Sequence, residues 1–254
     1  DDESERFVIE NGDMTLLQSL GSVNMTDADT LSDFIRFSAE SYPADRYELI
    51  LWDHGGGTMT GFGYDELYED TSLTLSSLST ALYNGGVQFD FIGFDACLMA
   101  TAEVAYALDP YADYLIASEE SEPGEGWAYK NWLTMLAEEP TVPTAELGKK
   151  LADDFLGAYI FADMPTLSVL DLRYVPELYA ALESYWGSAY TALQSGSYGA
   201  FSQVRNNVRE FGDNEYDQVD LSDLATLTKQ SLSLGTEDDV QAAVQNMVVY
   251  NVTY

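Results

Sequence analysis

Apolar positions along this chain recur with two different periods. Residues 26–43, TDADTLSDFIRFSAESYP, place Leu31, Phe34, Ile35 and Ser38 at helical spacing behind a capping Thr or Asp, with a proline beyond the helix's end. That predicts a helix. YELILW (47–52) is instead a continuous apolar run between loop signals, the pattern of a strand buried on both faces of a parallel sheet. HGGG (54–57) breaks it. LTLSSLSTALYNGG (73–86) reads as a helix with a glycine stop, and FDFIGFD (89–95) as a second buried strand. LMATAEVAYALDPY (98–111) predicts a third helix and DYLIAS (113–118) a third strand, followed by the acidic loop EESEPGEGW. A fourth helix over 144–162 and a fourth strand, TLSVLDL (166–172), complete the series.

Strands and helices alternating at short intervals predict an α/β domain with a mainly parallel central sheet and helices on both faces. Ligand sites in such sheets lie beyond the carboxyl ends of the strands. His54, Cys97 and the acidic loop each follow a strand end, so all three are expected on one rim. After Leu172 the pattern changes: residues 173–254 are mostly helical until NMVVYNVTY. The expected organisation is a domain over 1–172 and a smaller, mostly helical C-terminal region over 173–254.

The chain has 254 residues, 46% hydrophobic and 13% aromatic, enough for a large core and too apolar for disorder. No stretch approaches the roughly 18 consecutive apolar residues of a membrane span, and no signal peptide opens it. With 44 acidic and 10 basic residues the net charge is −34. Such a surface repels nucleic acid and anionic membranes. The acid either keeps the protein soluble or, in part, attracts a cationic substrate. A single cysteine rules out an internal disulfide.

That cysteine, Cys97, and the single histidine, His54, follow successive strands. A thiol is a useful nucleophile as thiolate, and a neighbouring imidazole takes its proton. If the two strands are neighbours their tips lie about 5 Å apart, within side-chain reach. The glycines after His54 leave backbone N–H groups uncovered; Gly55 and the amide of Cys97 itself are the candidate oxyanion donors. Asp95 and Cys97 point the same way along their strand, with Cα atoms about 6.5 Å apart. A carboxylate that close to a thiolate calls for a cation between them, which the side chain of a substrate Arg or Lys supplies. Taken singly, Cys97 reads as a small buried hydrophobe and HGGG as a turn; the conjunction at two strand ends favours chemistry. One His and one Cys are too few soft ligands for a transition-metal site.

ELILWDHGGG followed by FDFIGFDACLMA resembles the clostripain family of cysteine peptidases, which share the caspase-like fold. The likeness extends to GSVNMTDADTLSDFIRFSAESYPADRYELILW upstream and ADYLIASEESEPGEGWAYKNWL downstream, and covers residues 7–172 best. It implies a three-layer caspase-like sandwich and a secreted bacterial endopeptidase. Its catalytic dyad would be His54 and Cys97, with Asp95 as the floor of the pocket for an Arg or Lys before the cut bond. Glu122 or Glu125 would add a second charge there. Protein and peptide substrates with basic residues are the implied partners. The reaction needs no cofactor, although some family members require calcium; DNEYDQVD (213–220) has no EF-hand spacing and reads as a solvated loop.

Three features depart from the family pattern. The family normally carries a strand, a helix and a strand before the segment that opens this chain, and its closing strand ends later than NVTY. Members also tend to mature by cutting after a basic residue between the His and Cys blocks, yet no Lys or Arg occurs from Tyr47 to Tyr129. A latent or non-catalytic module that binds basic peptides is the alternative expectation.

Overall fold

The computed structural model describes residues 3–68, 71–159, 165–212 and 217–253. It opens with a hairpin of β1 (Ser4–Glu10) and β2 (Asp13–Gly21), tied back by an Arg6–Asp33 ion pair of 2.6 Å. Helix α1 (Ala28–Ser41) follows behind Asp27, whose side chain accepts from the Asp29 N–H as an N-cap. After β3 (Glu48–Trp52) come the short α2 (Gly57–Thr60) and a hairpin of β4 (Phe62–Asp65) and β5 (Thr71–Leu73). Helix α3 (Leu75–Gly85) is capped by Thr74 and stopped by Gly86 at φ 70°, a left-handed position that suits glycine.

Then come β6 (Phe89–Asp95), α4 (Ala102–Leu108), β7 (Ala112–Ala117), α5 (Tyr129–Glu138), α6 (Thr144–Ala158) and β8 (Thr166–Asp171). The rest comprises α7 (Val175–Gln194), α8 (Tyr198–Asn207), a small ladder of β9 (Glu210–Phe211) with β10 (Gln218–Val219), α9 (Leu221–Ser231), α10 (Glu237–Met247) and β11 (Val248–Thr253).

The central sheet has the order β11-β8-β7-β6-β3. Strands β3, β6 and β7 are parallel, the arrangement expected from single-helix crossovers. β8 reverses, pairing antiparallel with β7, and β11 reverses again on β8, so the sheet is mixed. Two helices in succession, α5 and α6, link β7 to β8 and return the chain to the sheet end it left. Among the described residues no strand pairs with the outer edge of β3.

Alternate strand residues serve opposite layers. Ile92, Leu115 and Leu170 join the larger core beneath α1, α3, α4 and the C-terminal helices. Phe91, Ile116 and Val169 point the other way and pack with Trp132, Leu151 and Phe155 of α5 and α6. Full burial of each such side chain contributes roughly 1.5–3 kcal/mol. This pleat alternation yields the expected three layers. The larger core is continuous across residues 172–175, with Leu178, Tyr185 and Met247 packed in it beside strand residues.

The helix expected over 98–111 is only α4, because the chain turns tightly first, with Leu98 at φ 66° and Thr101 capping the helix. Within 144–162 the helix ends at Ala158, and 160–162 lie outside the described residues, as do 213–216 of DNEYDQVD. The terminal and internal hairpins and α5 are absent from the sequence-based reading.

Candidate active site

The β3–β6 ladder fixes the site. Its last pair is Trp52 with Asp95, so His54 and Cys97 each follow the paired strand ends by two residues. Gly55 closes the approach: a Cβ on it would lie 2.0 Å from the Cys97 carbonyl oxygen and 3.0 Å from Met99 Cγ. No other residue type fits there without displacing backbone. The His54 carbonyl accepts from the Gly63 N–H at 2.9 Å and the Gly56 N–H donates to the Gly61 carbonyl at 2.9 Å. These two bonds clamp the glycine turn onto β4, and neither uses the Gly55 N–H.

His54 is exposed, and its ring meets Tyr64 of β4 edge-on, with centroids 6.2 Å apart and an interplanar angle of 82°. Sequence reasoning found no residue to orient the imidazole. The signal for Tyr64 was its place in a short strand folding back on HGGG, legible only once the β4 hairpin was known.

Cys97 is half-buried. Its sulfur accepts from the Glu122 N–H at 3.2 Å and lies 3.9 Å from the Glu122 carbonyl oxygen. Behind it, Leu98 is fully buried at φ 66°, a conformation that costs a bulky residue on the order of 1–3 kcal/mol. The Leu98 N–H donates to the Glu120 carbonyl at 3.1 Å, which helps hold this strained turn against the loop after β7.

Asp95 is only 2% exposed. Its Oδ2 accepts from the Trp127 N–H at 2.8 Å and the Tyr129 hydroxyl at 2.7 Å. Gly93, two residues earlier, makes room for this cover, since a Cβ there would come within 2.8 Å of the Trp127 ring. The indole N–H of Trp127 donates to Glu122 Oε2 at 3.1 Å, while Glu122 Oε1 is buried without a partner.

Burial pushes the Glu122 carboxyl well above its ordinary 4.5, and the adjacent Asp95 charge pushes it further. Asp95 is also raised by burial, against the lowering effect of the Trp127, Tyr129 and Glu122 hydrogen bonds. Burial thus disfavours charge on both acids, and on Glu122 the nearby Asp95 charge adds to it. Burial and the Asp95 contact raise Tyr129 as well, so its hydroxyl stays a donor. Of the two acids considered from sequence, Glu122 is the one joined to Asp95. Among the described residues no group of three or more His, Cys, Asp or Glu side chains is placed to hold a metal ion, and no helix is long and apolar enough to cross a membrane.

The resulting arrangement combines a thiol, an imidazole on the adjacent strand end, an unclaimed glycine N–H and a buried acidic pair. Its relatives agree with the fold. A secreted C11 cysteine protease from Bacteroides thetaiotaomicron, solved with an irreversible peptide inhibitor, superposes with a TM-score of 0.77 at 21% identity, covering 98% of this chain and 70% of that one. An inactive zymogen C11 protease from Parabacteroides distasonis gives 0.73 at 24% identity, covering 99% and 69%. Clostripain from Hathewaya histolytica is 35% identical over 123 residues, which are 42% of this chain and 23% of that protein, so the match spans about a quarter of the curated relative. The clostripain family model matches residues 3–254, nearly the whole chain including its helical C-terminal region. The chain belongs to the clostripain family.

Proposed function

We propose that this chain carries the active site of a secreted bacterial cysteine endopeptidase that cuts after Arg or Lys. The carrying observation is the β3–β6 register, which sets His54 and Cys97 at equivalent places beyond two hydrogen-bonded strands. Cys97 attacks the scissile carbonyl as thiolate and His54 takes its proton. The oxyanion receives the N–H groups of Gly55 and Cys97. His54 then protonates the leaving amine, and the acyl group stays on sulfur as a thioester. Water, deprotonated by His54, releases the acid and restores the thiol.

Asp95 and Glu122 serve the basic side chain before the cut bond. Its guanidinium or ammonium would sit against both carboxyl groups and favour their charged forms. No step uses a metal, and cleavage is expected to survive EDTA. The excess of acid over the whole surface draws basic peptides toward the rim.

Matched fluorogenic peptides ending in Arg, Lys, Asp or Leu test this. Cleavage of the first two alone, abolished in Cys97→Ala and His54→Ala and strongly weakened in Asp95→Ala, is expected. Equal cleavage of all four would refute the basic pocket, and full activity in Cys97→Ala would refute the nucleophile.

One observation favours a second reading, a latent module that binds basic peptides. Asp95 is covered by Trp127 and Tyr129 and Glu122 Oε1 is buried without a partner, so Asp95 is closed to solvent and Glu122 only partly open to it. A thiol alkylated by iodoacetamide at neutral pH in a chain that cuts none of the peptides, with calcium present, would support that reading.

A further inference from the structure

Between the sheet and the C-terminal helices lies a cavity of about 720 Å³, a size typical of small-molecule sites. It is distinct from the acidic pair: neither Asp95 nor Glu122 lines it. Part of its wall is apolar, with Leu170 of β8, Leu178, Leu182 and Trp186 of α7, Leu224 of α9 and Met247 of α10. Its polar end is Glu119, just beyond β7.

Glu119 Oε1 accepts from the Ser168 hydroxyl at 2.5 Å, whereas Oε2 is buried with no hydrogen-bond partner. The carboxamide nitrogen of Gln218, on the same lining, is also buried without a partner. Buried polar groups are rarely left unpaired, so Glu119 Oε2 points to a missing partner, whereas the Gln218 nitrogen packs against Gly57.

The charges around the cavity decide its sign. Among the described residues Glu103, Asp217 and Asp220 line it together with Glu119; Asp217 is paired with Arg205, and Arg209, the one lining guanidinium, leans toward Glu120 at 3.9 Å. Thr166 adds only a hydroxyl, which accepts from the Glu119 and Glu120 N–H groups. A carboxylate there is disfavoured by burial unless a cation arrives.

We propose that this cavity is a binding site for a small amphipathic cation, its alkylammonium head on Glu119 and its hydrocarbon chain along Leu170, Leu178 and Leu182. The head supplies N–H donors to Oε2.

Titration calorimetry of the whole chain with n-hexylammonium, n-hexanol and hexanoate tests it. Saturable one-to-one binding of the ammonium is expected, about tenfold or more tighter than the alcohol, with none for hexanoate. Glu119→Gln should weaken it about tenfold or more, and Leu182→Trp, which fills the apolar wall, should abolish it. Asp95→Asn should leave it unchanged, which separates this site from the pocket beside Cys97. Equal binding of ammonium and alcohol, retention in folded Glu119→Gln, or loss in Asp95→Asn would each overturn the proposal. Should Glu119→Gln fail to fold, Leu182→Trp decides: retained binding there refutes it.

Discussion

Substituting Gly55 by alanine isolates the packing that sets histidine beside cysteine. The added carbon would sit 2.0 Å from the Cys97 carbonyl oxygen. Non-bonded heavy atoms settle near 3.5 Å, so the two segments must part by about 1.5 Å. Both are backbone, fixed by the β3–β6 ladder on one side and the Leu98–Glu120 bond on the other, so no side-chain rotation relieves the clash. A shift of 1 Å in a reacting constellation costs about a hundredfold in rate, and kcat/KM on an Arg peptide should fall at least that far. Overpacking of this kind also destabilises by about 1–3 kcal/mol. For a chain of this size that lowers Tm by about 2–4 °C per kcal/mol, readable by scanning fluorimetry. Gly124→Ala is the control, in the loop beside the site: a Cβ there meets no atom within 4 Å and its φ is not left-handed. It should match the parent in both assays. An unchanged Tm in Gly55→Ala would refute the close approach, and a lowered Tm with full activity would refute its role in aligning the dyad.

Glu122→Gln should raise Tm near pH 8, with the advantage shrinking as pH falls toward 4, in melting curves across pH. The folded carboxyl titrates above its ordinary 4.5, so between those limits the native state binds more protons and stability falls as pH rises; glutamine removes that loss. Tyr64→Ala should cut kcat/KM about 2- to 10-fold, the worth of an edge-to-face contact, while Tyr64→Phe keeps most activity. Trp132→Ala, at a site 1% exposed between α5 and the sheet, should cost about 3–5 kcal/mol in urea denaturation. Arg46→Lys should cost about 1.5–3 kcal/mol by the same assay. The guanidinium there bonds Asp90 at 3.0 Å and the carbonyls of Pro140 and Val142 at 2.9 Å, a fork that an ammonium does not reproduce.

The sheet's parallel half was legible because β3, β6 and β7 carry apolar runs, although only β6 is buried on both faces along nearly its whole length and β3, at the edge, buries Leu49 and Leu51 while Trp52 is exposed. Helices α1 and α3 were legible for a different reason, since each announces itself with a capping Asp or Thr and an apolar stripe. Local pattern does not carry strand direction, so the reversal at β8 was hidden. It depends on α5, whose YKNWLTMLAE runs on directly from the acidic loop and lacks a side-chain N-cap. The hairpins escaped because β1 and β2 are mostly exposed and show no buried face to alternate with. At the site, His54, Cys97 and Asp95 were marked by residue type at strand ends. Glu122 was one acid among several in its loop; only the fold shows which one reaches Asp95. The cover over that pair, Trp127 and Tyr129, depends on tertiary contact with Gly93 and had no local signature.

The distribution of basic residues bears on how a peptidase with this specificity coexists with itself. All ten lie outside 47–129, the stretch holding both proposed catalytic residues. Arg6 is in β1, Arg173 in a 3₁₀ turn, and Arg36, Lys130, Lys149, Lys150, Arg205 and Lys229 in helices. A peptide bond in a helix or a ladder must unfold locally before it enters an active site, which raises the cost of cleavage. Only Arg46 and Arg209 lie outside regular elements. Arg46 is held by its fork, and Arg209 by its own N–H to Asp223 at 2.7 Å and by its carbonyl, which accepts from the Asp220 N–H at 3.0 Å. With the proposed specificity, resistance to self-cleavage is expected from secondary structure at eight positions and from hydrogen bonds at two, which incubation of the pure protein followed by gel electrophoresis would check. Under the proposed specificity, the same distribution leaves no bond between His54 and Cys97 for the protein to cut in itself.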